Sequence, residues 1–153
     1  MSYSLSLRSR QRLSGVHPDL VAVVKRAIEL TTQDFAVIEG IRSTERQRQL
    51  VAKGASTTMN SRHITGHAVD LAPWPISWDW EYFYPIADAM KNAAEELGVD
   101  LEWGGAWHLS PIQSWDGSAE SAKDDYVSVR KSQNKKPFLD GPHFQLSKGS
   151  YGG

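Results

Sequence analysis

The chain contains no cysteine. This excludes disulfide staples, thiolate catalysis and the cysteine-rich sites that usually hold structural zinc, while leaving the compartment open. No apolar run approaches the ~20 residues needed to span a bilayer. The first fourteen residues are polar and carry Arg8, Arg10 and Arg12; they lack the apolar core of a secretory signal, so synthesis and folding in the cytoplasm are expected. A charge excess is missing as well. The formal net charge is −1, which argues against a general nucleic-acid binder. Residues 1–60 carry nine Lys/Arg against five Asp/Glu, and residues 61–153 eight against thirteen, an imbalance within ordinary surface variation.

What is present fits one globular domain. The 153 residues, 40% hydrophobic and 23% charged, are enough to bury a core. Leu20, Val24, Ala27 and Ile28 recur at helical spacing over 18–31, with Asp19 in the first turn. Residues 35–41 form a β-rich run. Ser43 or Thr44 caps a helix over 45–53, and 55–62 reads as a loop. A strand over 67–71 enters a proline-rich turn at Pro73-Trp74-Pro75. Residues 80–97 give the clearest helix, with Phe83, Ile86, Ala87, Met90, Ala94 and Leu97 in one apolar stripe. A strand over 99–103, a helix over 118–132 and a strand over 143–146 follow, and 147–153 is expected to fray. The prediction is a single α+β domain without repeats or linkers.

The residues that carry chemistry lie in Ser61-Arg62-His63-Ile64-Thr65-Gly66-His67-Ala68-Val69-Asp70 and in Asp140-Gly141-Pro142-His143. Two imidazoles and a carboxylate suit a zinc ion, and three protein ligands with one open position is how a catalytic site is built. Gly66 argues against one helix carrying both His63 and Asp70. A turn at Gly66 would leave His63 before it and Asp70 on the following strand, with His143 arriving from a neighbouring strand. By strand alternation His67 points away from Asp70. His17, before Pro18, and His108, in a Trp-flanked turn, read as structural or exposed. Spacing alone leaves a hydrogen-bonded structural His–Asp pair open beside a metal site. The six tryptophans invite sugar stacking, although core and cleft-wall roles suit most of them better.

Ser61-x-His63-x-x-Gly66-x-Ala68-x-Asp70 resembles the SxHxxGxAxD signature of the peptidase M15 family. That family contains D-alanyl-D-alanine carboxypeptidases and dipeptidases and phage L-alanyl-D-glutamate endopeptidases. Glu39-Gly40-Ile41-Arg42-Ser43 with Gln47, Trp103-Gly104-Gly105-x-Trp107, and Asp140-x-Pro142-His143-Phe144 resemble further family segments, in the expected order. The resemblance implies a small α+β fold shared with the hedgehog signalling domain, helices packed on an antiparallel sheet. It implies a zinc peptidase domain over 16–146 between an N-terminal extension, 1–15, and a C-terminal tail, 147–153. It further implies Zn2+ held by His63, Asp70 and His143, Asp140 as acid/base, Arg42 as a cation near the scissile carbonyl, and Gln47 and Ser61 in support. Two departures stand out: Ala106 replaces the acidic residue of WGGDW, and the interval from Trp107 to Asp140 is longer than in the compact phage enzymes.

The substrate so implied is the peptidoglycan stem peptide, cleaved by a monomer. The leading expectation is an endolysin that hydrolyses the L-Ala–D-Glu bond during host lysis. It would be made in the bacterial host cytoplasm and reach the wall after a holin-like membrane protein permeabilises the membrane. The alternatives are a D-alanyl-D-alanine carboxypeptidase of cell-wall metabolism and a non-enzymatic zinc-stabilised binding module.

Overall fold

A computed structural model describes residues 2–56, 58–59 and 61–152. Four strands form one sheet in the order β1-β2-β4-β3, every neighbouring pair antiparallel. They are β1 (Phe35–Glu39), β2 (Ala68–Pro73), β3 (Leu101–Trp103) and β4 (His143–Leu146). Helices α2 (Pro18–Leu30) and α4 (Trp80–Leu97) pack on each other and cover one face. The α+β class and the helix-on-antiparallel-sheet layering expected from the resemblance are what the chain adopts.

Alternation along the strands explains why only one face is covered. Val37, Val69, Leu71, Leu101, Trp103, Phe144 and Leu146 are buried among the helices. Side chains one residue out of phase, including Asp70, His143 and Gln145, project from the opposite face. On the helical side α2 contributes Leu20, Val23, Val24, Ala27 and Ile28, and α4 contributes Phe83, Ile86, Ala87, Met90 and Ala94. Leu97, read into that stripe from the sequence, is 45% exposed; it sits in the last helical turn, where the stripe runs past the edge of the sheet.

Helix α3 (Thr44–Ala52) begins at Ser43, whose Oγ accepts from the Arg46 N–H. Helix α5 (Ala119–Ser132) begins at Ser118. Both match the sequence expectation within a residue. Two polar segments do more than expected. Residues 7–12 form α1 (Leu7–Arg12) against the free edge of β1, where Ser9 Oγ accepts from Val37 N–H and Arg12 donates to the Val37 carbonyl, each at 3.0 Å. Residues 148–151, expected to fray, form α6 (Lys148–Tyr151), anchored where the Tyr151 hydroxyl donates to Asp19 at 2.7 Å. Both attachments rest on hydrogen bonds, which leave no apolar period in a sequence.

Candidate metal centre

The turn expected at Gly66 is present, with Gly66 at φ +77°. A Cβ there would also meet the Gly15 carbonyl at 2.6 Å, so both conformation and space require glycine. This turn carries the chain from His63 into β2. Asp70 on β2 then pairs in register with His143 on β4. His63 Nε2 and His143 Nδ1 each lie 3.2 Å from Asp70 Oδ1. The three residues could hold a metal ion: each offers one donor atom, and these atoms all lie within 4.8 Å of one another. A tetrahedral shell with bonds of about 2.1 Å places its ligand atoms about 3.4 Å apart, so the spacing fits one small divalent cation.

The outer hydrogen bonds make the same case. His63 Nδ1 lies 2.9 Å from the Gly40 carbonyl, which can only accept. That nitrogen therefore carries the proton, and the Nε2 lone pair faces Asp70. On the other ring, His143 Nε2 lies 2.8 Å from Gln145 Oε1. The orientation of the Gln145 amide follows from its far side, where Nε2 donates to the Glu102 carboxylate at 2.7 Å. His143 thus donates from Nε2 and turns the Nδ1 lone pair inward. Two lone pairs and a carboxylate oxygen converging on one point call for a positive charge between them. Where protons supply that charge, burial opposes ionisation, but the hydrogen bonds from His143 and His63 prevail and hold Asp70 well below the ordinary carboxylate range. His143 is raised above the ordinary imidazole value by Asp70, again against burial.

Asp140 lines the same cleft, whose volume is about 600 Å³. Its loop is drawn in by paired backbone bonds with Gly104, Asp140 N–H to Gly104 O at 2.9 Å and Gly104 N–H to His143 O at 2.9 Å. A Cβ on Gly104 would collide with the Asp140 backbone, which explains the glycine in the Trp-Gly-Gly segment. Burial raises the Asp140 carboxyl above its ordinary value, with the Asp70 charge adding and His143, His63 and Arg42 opposing.

Arg42 is more constrained than a free substrate-binding cation. Glu39 grips it through two bonds of 2.7 and 2.6 Å. Its remaining terminal nitrogen donates to Gln47 Oε1 at 2.8 Å and to Ser61 Oγ at 3.3 Å. Burial works against its charge, but Glu39 more than compensates and raises the pKa. The nitrogen bonded to Glu39 also lies 3.9 Å from Asp70 Oδ2. Gln47 is fully buried and donates to Ser56 Oγ and the Thr58 carbonyl. Ser61 also accepts from the His63 N–H at 3.2 Å. Arg42, Gln47 and Ser61 therefore form one hydrogen-bonded frame beside His63.

The other histidines stay outside. His67, expected to open the strand, lies one residue before β2 and faces His17, with ring centroids 5.6 Å apart. His17 caps α2 by accepting from the Asp19 N–H, and His108 pairs with Asp125 at 2.7 Å. Among the tryptophans, Trp103 is fully buried, while Trp74 and Trp78 are 54% and 63% exposed. Trp107 lies against His143, centroids 5.5 Å apart with the rings tilted by 41°, and against Phe138. Ala106 is buried, and beside it Trp107 Nε1 is buried with no acceptor among the described residues. Sequence reasoning gave no role to Glu39, Glu102 or Gln145. Two were signalled by spacing: Glu39 lies three residues before Arg42, and Gln145 shares a strand face with His143.

No helix among the described residues is long and apolar enough to cross a membrane. Comparison with known proteins places this geometry. The chain is 38% identical over 117 residues to the L-alanyl-D-glutamate peptidase of Escherichia phage T5, covering 72% of this chain and 85% of that protein. It is 28% identical over 120 residues to the L-alanyl-D-glutamate peptidase of Listeria phage A118, covering 78% of this chain and 32% of the relative. The crystal structure of the Serratia marcescens L-Ala D-Glu endopeptidase ChiX matches with a TM-score of 0.73 at 39% identity, covering 96% of this chain and 92% of that one. Residues 1–147 match the family model described as phage L-alanyl-D-glutamate peptidase, and with a His/Asp/His metal triad at the centre of its cleft the chain belongs to that family.

Proposed function

We propose that this protein is a zinc-dependent endolysin that hydrolyses the L-Ala–D-Glu bond of peptidoglycan stem peptides during host lysis. The observation that carries the reading is the inward-facing donor set of His63, Asp70 and His143, each imidazole held in the ligating tautomer, in a chain of this peptidase family. Two neutral imidazoles and a carboxylate match the preference of zinc for nitrogen and oxygen ligands, with a further position left for reactants. When bound there, the ion supplies Lewis-acid polarisation of a carbonyl and eases deprotonation of water at neutral pH.

The protein's own groups do the rest. Asp140 takes the proton of the attacking water and returns it to the departing D-Glu amine. A carboxyl raised by burial is better matched to both halves of that transfer than an ordinary one. Arg42, fixed by Glu39, Gln47 and Ser61, presents a permanent positive charge beside the triad. It opposes the negative charge that develops on the scissile oxygen. Trp107 and Phe138 line the same cleft.

The family favours the endopeptidase over a D-alanyl-D-alanine carboxypeptidase, and Asp140 beside the triad favours an enzyme over a binding module. Mass spectrometry of digested peptidoglycan separates the three. New N-terminal D-Glu is expected; released D-Ala would indicate the carboxypeptidase, and no product the binding module. The enzyme acts as a monomer and depends on a holin-like protein for access to the wall. Expression in the host cytoplasm alone should therefore leave cells intact until the membrane is permeabilised.

A further inference from the structure

The family model ends at residue 147, and the next residue opens α6. This short helix is tied down on several sides. Tyr151 donates to Asp19 at 2.7 Å, Ser150 Oγ donates to Asp100 at 2.5 Å, and Arg62 donates to the carbonyls of Leu146 and Gly152. The outcome is that Lys148, exposed, lines the same cleft as the triad, beside Gln145. No carboxylate pairs with Lys148 among the described residues. Arg62 is 5% exposed and its hydrogen bonds run to backbone carbonyls, so no carboxylate neutralises it by direct contact. Of the acidic groups nearer the triad, Glu39 is paired with Arg42, Glu102 keeps its charge while accepting from Gln145 and Ser110 and acts on Arg62 without touching it, and Asp140 lines the cleft beside the triad. Lys148 is thus a cleft-lining ammonium on a fixed support, with no carboxylate partner among the described residues.

We infer that Lys148 is a specificity-determining residue that binds a carboxylate on the D-Glu side of the scissile bond. The inference rests on the proposed function, because the charge asymmetry of the stem peptide supplies the ligand. On the sugar side the stem offers one neutral L-Ala. On the other side it offers the D-Glu α-carboxylate and, in stems built with a diamino diacid at the third position, a second carboxylate. An exposed contact of this kind contributes a preference and no catalysis.

The test compares the full-length wild type with Lys148→Met and Lys148→Arg, each holding zinc. The substrates are N-acetylated stem tetrapeptides whose C-terminal carboxylate is amidated throughout, with the D-Glu α-carboxylate and the third-residue carboxylate both free, with only the first amidated, or with only the second amidated. For the wild type, amidating the recognised carboxylate should lower kcat/KM about two- to fivefold, the size of an exposed ion pair, through KM. The amidated position identifies which carboxylate is bound. Lys148→Met should lose the same factor on the free substrate and become indifferent to amidation, while Lys148→Arg keeps the wild-type preference. Equal kcat/KM for wild type and Lys148→Met on every substrate overturns the inference, as does an equal loss on every substrate. If the wild type cleaves none of the three peptides, the functional reading fails and takes this inference with it.

Discussion

Each imidazole of the centre is held by one acceptor, and the two acceptors differ in kind. His63 leans on a backbone carbonyl, which no substitution at Gly40 removes, whereas His143 leans on the side chain of Gln145. Replacing Gln145 by Leu leaves the fold's backbone bonds in place but frees the ring to turn and change tautomer. Metal affinity should fall about 10–100-fold, the usual cost of losing such an outer contact, as read by competition with a chromogenic chelator. Asp140→Asn makes the opposite pattern. It should lower turnover roughly 10²–10⁴-fold with metal stoichiometry unchanged; wild-type turnover would remove Asp140 from the reaction. A third residue reports on α6. The Tyr151 phenol is pushed up to about 12 by burial and by its bond to Asp19. With the folded value above an unfolded value of about 10, the stability this contact gives is complete below pH ~10 and is lost as pH rises through the folded value. In a spectrophotometric titration, Tyr151→Phe should delete a phenolic component that ionises above the ordinary tyrosine value.

Among the connecting segments, the contact between Gly104 and the Asp140 loop is the tightest constraint on the cleft. Gly104→Ala inserts a methyl into the Asp140 backbone, so the loop must retreat and carry the carboxylate with it. Overpacking of this kind costs about 1–3 kcal/mol. The expected result is a modest fall in the urea midpoint and a much larger fall in kcat, with His63, Asp70 and His143 still able to take up metal. The Trp-Gly-Gly segment was legible in the sequence only by its resemblance to a family segment; that Gly104 admits the Asp140 backbone is visible only in the fold. Strand alternation set His67 apart from Asp70, and His67 does lie outside the centre, although the strand opens one residue after it. Helix α1 was not, since Ser9 and Arg12 attach it to β1 through backbone partners that any sequence possesses. The Glu39 clamp on Arg42 was half visible: its i,i+3 spacing is in the sequence, but the irregularity between Val37 and Glu39 that sets Glu39 opposite Asp70 is not. Gln145 remained unassigned because its role depends on Glu102, forty-three residues away.

At the scale of the molecule, the centre joins segments that the unfolded chain keeps apart. His63 and Asp70 lie 7 residues apart and His143 a further 73. Only the antiparallel pairing of β2 with β4 brings His143 opposite Asp70. An ion with high affinity for the folded site and little for the separated ligands must therefore stabilise the fold by mass action, by about 2.7 kcal/mol at a free concentration 100 times Kd. For a domain of this length each kcal/mol raises Tm by about 2–4 °C, so zinc should raise Tm by about 5–11 °C. Calorimetry of chelator-treated protein, with and without added zinc, measures it directly. His63→Ala should abolish the shift, whereas Asp140→Asn should retain it, because Asp140 is not among the three residues that could hold the ion. A shift preserved in His63→Ala would place the bound ion elsewhere on the protein and sever the link between the triad and catalysis.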